Sequence, residues 1–292
     1  MHASWRLEFL EAENPAQRFA MVTKRDDFYS LPAVLEWYAN VEGWQHPGEE
    51  VALGMVAPLV RSKSVLDLGV GGGRTVGLLA LLTDHYVGVD NSPGMVALCR
   101  ARYPAKDFRV VDARDLSEFG DASFEFVFFS FNGIDTADDQ DRKKIYREIH
   151  RVLTRDGVFV FSTLNMDGRS YAESPFQLHR PGRPFDRSLR AVALLMFRNL
   201  SDPLRVPRRW RNWRIATRHR VEGDGWAICA LAVRDFILLN HFVTLEHLRA
   251  ELHEADFNII AVLGSDGYEG ALAADVTIDH SDAIYAVVQP SP

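Results

Sequence analysis

From Ser64 to Leu164 short apolar runs alternate with helical patterns, and this rhythm limits the chain to one kind of architecture. The runs 64–69, 86–90, 108–111, 124–129 and 157–162 are too short for helices and lack polar alternation, so they read as strands buried on both faces. Arg74–Leu82, the stretch from Pro93 to about Tyr103, and Asp141–Leu153 lie between them as helices. Ser92 before Pro93 has the form of a helix start. Ile145, Ile149, Val152 and Leu153 share one face of the last helix. Strands joined by helices must run parallel, and right-handed crossovers wind them into a doubly covered sheet.

The rhythm breaks over 166–240, where Pro175, Pro181, Pro184, Pro203 and Pro207 fall. It returns with a helix over Thr244–Glu254, capped by Thr244, and two late strands, Asn258–Leu263 and Ala283–Val288. The expectation is one domain of 292 residues with an insertion before its last helix and hairpin. A composition of 47% hydrophobic and 25% charged residues supplies a sizeable core. Cys99 and Cys229 form neither a disulfide framework nor a metal pair, which suits a reducing cytosol. The N-terminus runs into Glu8, Glu11 and Glu13 without the apolar stretch of a signal peptide, and no run approaches the ~20 residues of a membrane span. A soluble, cytoplasmic protein is expected, with peripheral membrane contact as the upper limit.

The densest chemical signal is Asp67-Leu-Gly69-Val-Gly71-Gly72-Gly73-Arg74, a turn between a strand and a helix. Glycines let a backbone approach a ligand without an intervening Cβ. A dinucleotide fingerprint needs glycine where Arg74 stands, and a phosphate loop needs a lysine that is absent. The spacing that remains is acid-x-Gly-x-Gly-x-Gly. Asp90 ends the next strand, 19 residues beyond Gly71, where a carboxylate can accept both ribose hydroxyls.

This pattern resembles the first motif of class I S-adenosylmethionine-dependent methyltransferases. Asp112-Ala113 after the third strand resembles the family's adenine-binding pair, with Asp115 close enough to compete for that role. Phe128-Phe-Ser130-Phe-Asn132-Gly resembles the segment lining the methyl-transfer site, and Glu148–Gly157 the helix and turn before strand five. The resemblance implies a Rossmann-like α/β sheet of seven strands, mostly parallel with an antiparallel C-terminal hairpin strand. It also implies an N-terminal helical lid over 1–60, a cofactor-binding core over 61–165, a substrate-side insertion over 166–240, and 241–292 completing the sheet. S-adenosyl-L-methionine is the implied cofactor and S-adenosyl-L-homocysteine its product. Asp67, Gly69, Gly71 and Gly73 would cradle the methionine part, while Asp90 and Asn91 would face the ribose. Met95, Asp112 and Ala113 would surround the adenine, Met95 being equally readable as a core residue. Ser130 would line the reacting end, with Arg74 and Tyr29 reaching the cofactor carboxylate or standing as a surface arginine and a core tyrosine. The aromatics Tyr29, Trp37, Tyr38 and Trp44 would close over the site or pack N-terminal helices onto the sheet.

The insertion holds twelve arginines between Arg180 and Arg220, no lysine, and only Asp186 and Asp202 as acids, a local charge of +10 in a chain of −7. Three readings stay open: an acidic or phosphorylated acceptor, a membrane or lipid-linked acceptor, and a surface neutralised by the acidic remainder. Arg208, Arg209 and Arg211 would serve the first. Nothing else resembles a nucleic-acid module. The expected acceptor is a small molecule methylated on a hydroxyl or amine, with His241 and His179 as candidate bases. No metal is expected, although Asp135, Asn165 and Asp167 offer oxygen ligands. A non-catalytic module binding S-adenosylmethionine is the competing function, and all the loop residues it would dispense with are present.

Overall fold

In the computed structural model, which describes residues 28–40, 45–176, 205–265, 278 and 281–291, the alternating segment folds as a parallel sheet. Its strands are β1 (Val65–Leu68), β2 (Tyr86–Asp90), β3 (Asp107–Val110), β4 (Phe124–Phe129) and β5 (Leu153–Asn165). They lie in the order β3-β2-β1-β4-β5, all parallel. On the far side of β5, β10 (Ala283–Pro290) runs antiparallel and pairs in turn with β9 (Phe257–Gly264). These are the seven strands the sequence leads one to expect.

Three more strands lie within the insertion and its end. β6 (Val221–Gly223), β7 (Trp226–Ala230) and β8 (Leu239–Val243) form an antiparallel ribbon, giving a sheet of ten. β8 joins the main sheet through Leu164 and Asn165, at the tip of β5. The broken rhythm over 166–240 still contains strands: Trp226–Ala230 is one because its partner is supplied across the 3-10 turn Ala232–Arg234.

Both faces of the sheet are buried, as parallel strands require. Leu66, Leu68, Phe129, Phe159 and Phe161 point to one face, under α5 (Asp139–Val152) and α7 (Leu245–Glu254). Val65, Phe126, Phe128, Val158 and Val160 alternate to the other, under α2 (Pro47–Val60), α3 (Val76–Leu79) and α4 (Pro93–Arg102). α5 starts where the Asp138 carboxylate accepts from the Asp141 N–H at 2.9 Å. α7 starts where Thr244 Oγ1 accepts from His247 N–H at 3.1 Å, as the sequence suggests. Ser92 has the extended backbone of a cap, but its side chain makes no cap bond. α1 (Pro32–Ala39) lies against α4, and α6 (Arg205–Thr217) lies beside β7. No described helix is long and apolar enough to cross a membrane.

The chain descends α2 and climbs β1, so the start of α2 lies at the same edge as the end of β1. Open α/β sheets bind ligands outside the carboxyl ends of their strands. His46 and Glu49 thereby enter the ligand edge from a helix that precedes the whole sheet.

Candidate functional site

The turn after β1 is built on glycine geometry. Gly69, Gly71 and Gly73 have φ of 61°, 54° and 86°, a region costly for residues with a Cβ. A Cβ on Gly69 would stand 2.7 Å from the Phe129 ring. At Gly72 the conformation is ordinary, but a Cβ would meet the Tyr38 carbonyl oxygen at 2.3 Å. The N-terminal segment thus lies directly on the turn. Arg102 ties the two together, donating to the carbonyls of Gly72 and Ala39.

Beneath the turn sits Asp67, fully buried. Its Oδ2 accepts from Thr75 Oγ1 at 2.9 Å and from the Tyr86 hydroxyl at 2.8 Å. Its Oδ1 is buried with no hydrogen-bond partner among the described residues. Burial pushes the Asp67 pKa up to about 7, against the pull of the two hydroxyls and of Arg74. Such an oxygen is costly unless a ligand donor meets it.

Asp90 closes β2 with each oxygen holding one backbone donor: Gly71 N–H on Oδ2 and Ser92 N–H on Oδ1, both at 2.9 Å. Burial raises its pKa, and the two N–H bonds work against that rise. A carboxylate oxygen has two lone-pair sites, so each retains room for a hydroxyl. Asn91 beside it is exposed. Met95 is buried with Phe28, Val34, Ile237 and Leu238, and Tyr29, Leu35 and Tyr38 pack on that cluster. Tyr29 meets Phe28 and Tyr38 edge-on.

Asp112 and Ala113 lie just past β3, both half-buried. Burial raises the Asp112 pKa, but the hydrogen bonds and charge of Arg114 outweigh it and hold the carboxyl below its usual range. Asp115 lies out on the surface, accepting from Ser117 N–H.

β4 ends at a bend where Phe131 and Asn132 have φ of 53° and 58°. Consecutive non-glycine residues in this region mark a backbone held by its surroundings. Asn132 N–H donates to Ser162 Oγ at 2.8 Å, and Ser130 Oγ accepts from Arg74 at 3.0 Å. Arg74 also makes a two-pronged pair with buried Glu49, both contacts 2.7 Å, and stands 5.3 Å from the Phe131 ring centroid. Its guanidinium therefore joins α2, the glycine turn and the tip of β4.

His46 is the feature the sequence reading passes over. Its ring stacks on Phe131 at 5.9 Å with 25° between planes and lies 6.5 Å from the Tyr285 ring. Burial lowers its pKa; the Arg74 charge adds to this, while Glu49 and Asp282 oppose it. At neutral pH the imidazole is uncharged and able to accept a proton. The available signal was His46-Pro47 as a helix start, combined with the antiparallel packing of α2 on β1.

The two histidines named from sequence fall elsewhere. His241 is fully buried within β8, stacked on Trp226 at 5.3 Å and 11°. His179 lies outside the described residues, as does Trp44. Of the arginines assigned to an acidic acceptor, Arg209 is turned inward: it is buried and paired with Asp235 at 2.5 Å. Two of the three oxygen-ligand candidates are also committed. Asp135 accepts from Arg142, Thr163 and the Leu164 N–H, and Asn165 braces Ile278, Ser281 and Asp167. Among the described residues Asp139, His247 and Glu251 have ligand atoms within 4.8 Å of one another, but Arg142 occupies both Glu251 oxygens.

Residues 65–157 match the family model of a methyltransferase domain. The chain is 34% identical over 131 residues to a probable S-adenosylmethionine-dependent methyltransferase of Mycolicibacterium smegmatis, covering 44% of this chain and 49% of that one. It is 29% identical over 185 residues to a demethylmenaquinone methyltransferase of Clavibacter sepedonicus, covering 62% and 68% respectively. The chain spans about half the length of the mycobacterial relatives it matches. The Burkholderia thailandensis 1,6-didemethyltoxoflavin-N1-methyltransferase, solved with that compound and S-adenosylhomocysteine, superposes with a TM-score of 0.54 at 14% identity over 96% of this chain and 91% of its own. That likeness is one of fold.

Proposed function

We propose, from the premise that the core of this chain is a class I S-adenosylmethionine-dependent methyltransferase domain, that the protein moves a methyl group from S-adenosyl-L-methionine to a hydroxyl or amine of a small-molecule acceptor. The observation that carries the reading is Asp67: a buried carboxylate with one oxygen spoken for and one open, under a turn where side chains are sterically barred. An ammonium group against that oxygen satisfies it and restores the charged form. Asp90, already oriented by two backbone donors, offers its remaining lone pairs to vicinal hydroxyls. The residues present fit an amino acid joined to a nucleoside. When bound, that cofactor supplies an activated methyl group on a sulfonium.

The remaining work falls to the protein's own groups. Alignment of donor and acceptor can supply about 7–11 kcal/mol of such a barrier. The Phe131–Asn132 bend is fixed by Ser162, and Ser130 by Arg74, so the reacting end has a rigid wall. Tyr38 stands over the turn, with Tyr29 edge-on against it. For a hydroxyl acceptor, His46 at this rim is the group placed to take the proton, and its lowered pKa keeps it competent at neutral pH. Thermal melting with S-adenosylhomocysteine against NAD tests the reading. The expected outcome is a rise in Tm with the first alone. A rise with NAD and none with S-adenosylhomocysteine sinks it.

A further inference from the structure

The described half of the arginine-rich segment has a distinctive construction. Arg209 is 3% exposed and fastens α6 to the insertion. Its guanidinium donates to the Pro175 carbonyl at 3.3 Å, the Ala232 carbonyl at 2.9 Å and Asp235 at 2.5 Å, and lies 5.1 Å from the Phe236 centroid. Asn212 adds a bond to the Asp235 carbonyl at 3.0 Å. One residue beyond three of these fastening points stands an exposed apolar side chain. Phe176 follows Pro175 and is 63% exposed, Trp210 follows Arg209 at 41%, and Val233 follows Ala232 at 49%. The buried arginine therefore ties together the backbone stretches that carry these three exposed apolar side chains.

Their surroundings are positive. Between Arg205 and Arg220 there are seven arginines and no acid; Arg209 is paired with Asp235 and Arg220 with Glu222, while Arg214 and Arg218 lie exposed. Arg214, one turn along from Trp210, lies over its ring at 4.8 Å. A guanidinium stacked on an exposed indole presents a planar donor set beside an apolar body. That pairing suits a phosphate above a hydrocarbon boundary.

We propose that this face seats the protein on an anionic lipid bilayer, with Phe176, Trp210 and Val233 entering the interface and Arg214 and Arg218 meeting lipid phosphates. A bilayer is favoured over a protein partner because the apolar side chains protrude singly rather than line a groove. It is favoured over nucleic acid because Phe176, Trp210 and Val233 set apolar side chains beside the arginines, which a hydrocarbon boundary takes up and a phosphodiester backbone does not. The contact is peripheral, in keeping with the absence of a membrane-crossing helix among those described. It goes beyond the methyl-transfer reading and does not depend on it.

The test is co-sedimentation of the full chain with vesicles of phosphatidylcholine alone and of phosphatidylcholine with 30% phosphatidylglycerol, alongside a Trp210→Ser/Arg214→Gln/Arg218→Gln variant. These positions are exposed, and an unchanged melting curve with unchanged S-adenosylhomocysteine affinity verifies that the variant is folded. The expected result is binding to the anionic vesicles, weakened by added salt, absent with phosphatidylcholine alone, and reduced at least tenfold in the variant. No binding to anionic vesicles, or equal binding by the variant, overturns the proposal. So does retention on a mixed-sequence oligonucleotide, or self-association lost in the variant, either of which assigns the face to a different occupant. Because the readout is lipid binding, failure here leaves the methyl-transfer reading standing, and the reverse also holds.

Discussion

Replacing Asp67 by asparagine separates the cost of the buried carboxylate from its use. Asparagine preserves an oxygen to accept from Thr75 and Tyr86 but removes the charge. In the folded protein the Asp67 pKa rises from 3.8 to about 7, so ionisation there is opposed by about 4 kcal/mol. The sign follows from proton uptake. Between pH 4 and 7 the folded state keeps a proton that the unfolded chain releases, so stability falls as pH rises through this window and levels off above it. Asp67→Asn lacks this dependence and, at pH 8, is expected to be at least as stable as the parent. Ligand binding moves the opposite way. Loss of a charge-assisted hydrogen bond, at about 1.5–3 kcal/mol, weakens S-adenosylhomocysteine about 10- to 100-fold. The assays are urea denaturation at pH 5 and pH 8 and calorimetric titration of both proteins. Undiminished affinity in the variant refutes the role given to the open oxygen. A variant markedly less stable than the parent at pH 8 refutes the electrostatic reasoning.

Other substitutions probe separate links. His46→Ala is expected to lower turnover of a hydroxyl acceptor by about 100- to 10,000-fold with S-adenosylhomocysteine affinity retained, and the parent's rate should fall only below the usual histidine range; unchanged turnover assigns the proton elsewhere. Gly72→Ala places a methyl group against the Tyr38 carbonyl, so cofactor affinity should weaken by about 1–3 kcal/mol in the same titration. Arg142→Met strands the buried carboxylates of Asp135 and Glu251, a cost of about 3–5 kcal/mol in denaturant melts at pH 7.5 that shrinks at pH 5.5, where Asp135, whose pKa burial pushes up to about 7, takes up a proton. Equal losses at the two pH values would point to packing instead of charge.

The parallel core was legible because three signals agreed: apolar runs of strand length, helix starts between them, and glycines at a strand end. Asp67, Asp90 and Ser130 were singled out by the same logic, and they stand near the carboxyl ends of β1, β2 and β4. What escaped the sequence depends on distant pairing. Trp226–Ala230 is an apolar run whose strand character needs β8 across the Ala232–Arg234 turn, and no local period announces that. His46 reaches the rim only because α2 reverses the chain before β1. Arg74 reads from sequence as reaching the cofactor carboxylate or as a surface arginine, and neither reading announces Glu49, 25 residues upstream, which holds it by both prongs. Arg142 sits among charged residues on an amphipathic helix, yet it is fully buried because Asp135 and Glu251 meet it inside. A charge pattern along one helix does not reveal which member finds partners on two other elements.

A crystal structure of the protein with S-adenosylhomocysteine puts the central geometry to a direct test. The amino nitrogen is expected within about 3.2 Å of Asp67 Oδ1, and the ribose hydroxyls on Asp90, with the glycine turn unmoved. Product found away from that turn, with Asp67 Oδ1 still unmet, would contradict the account.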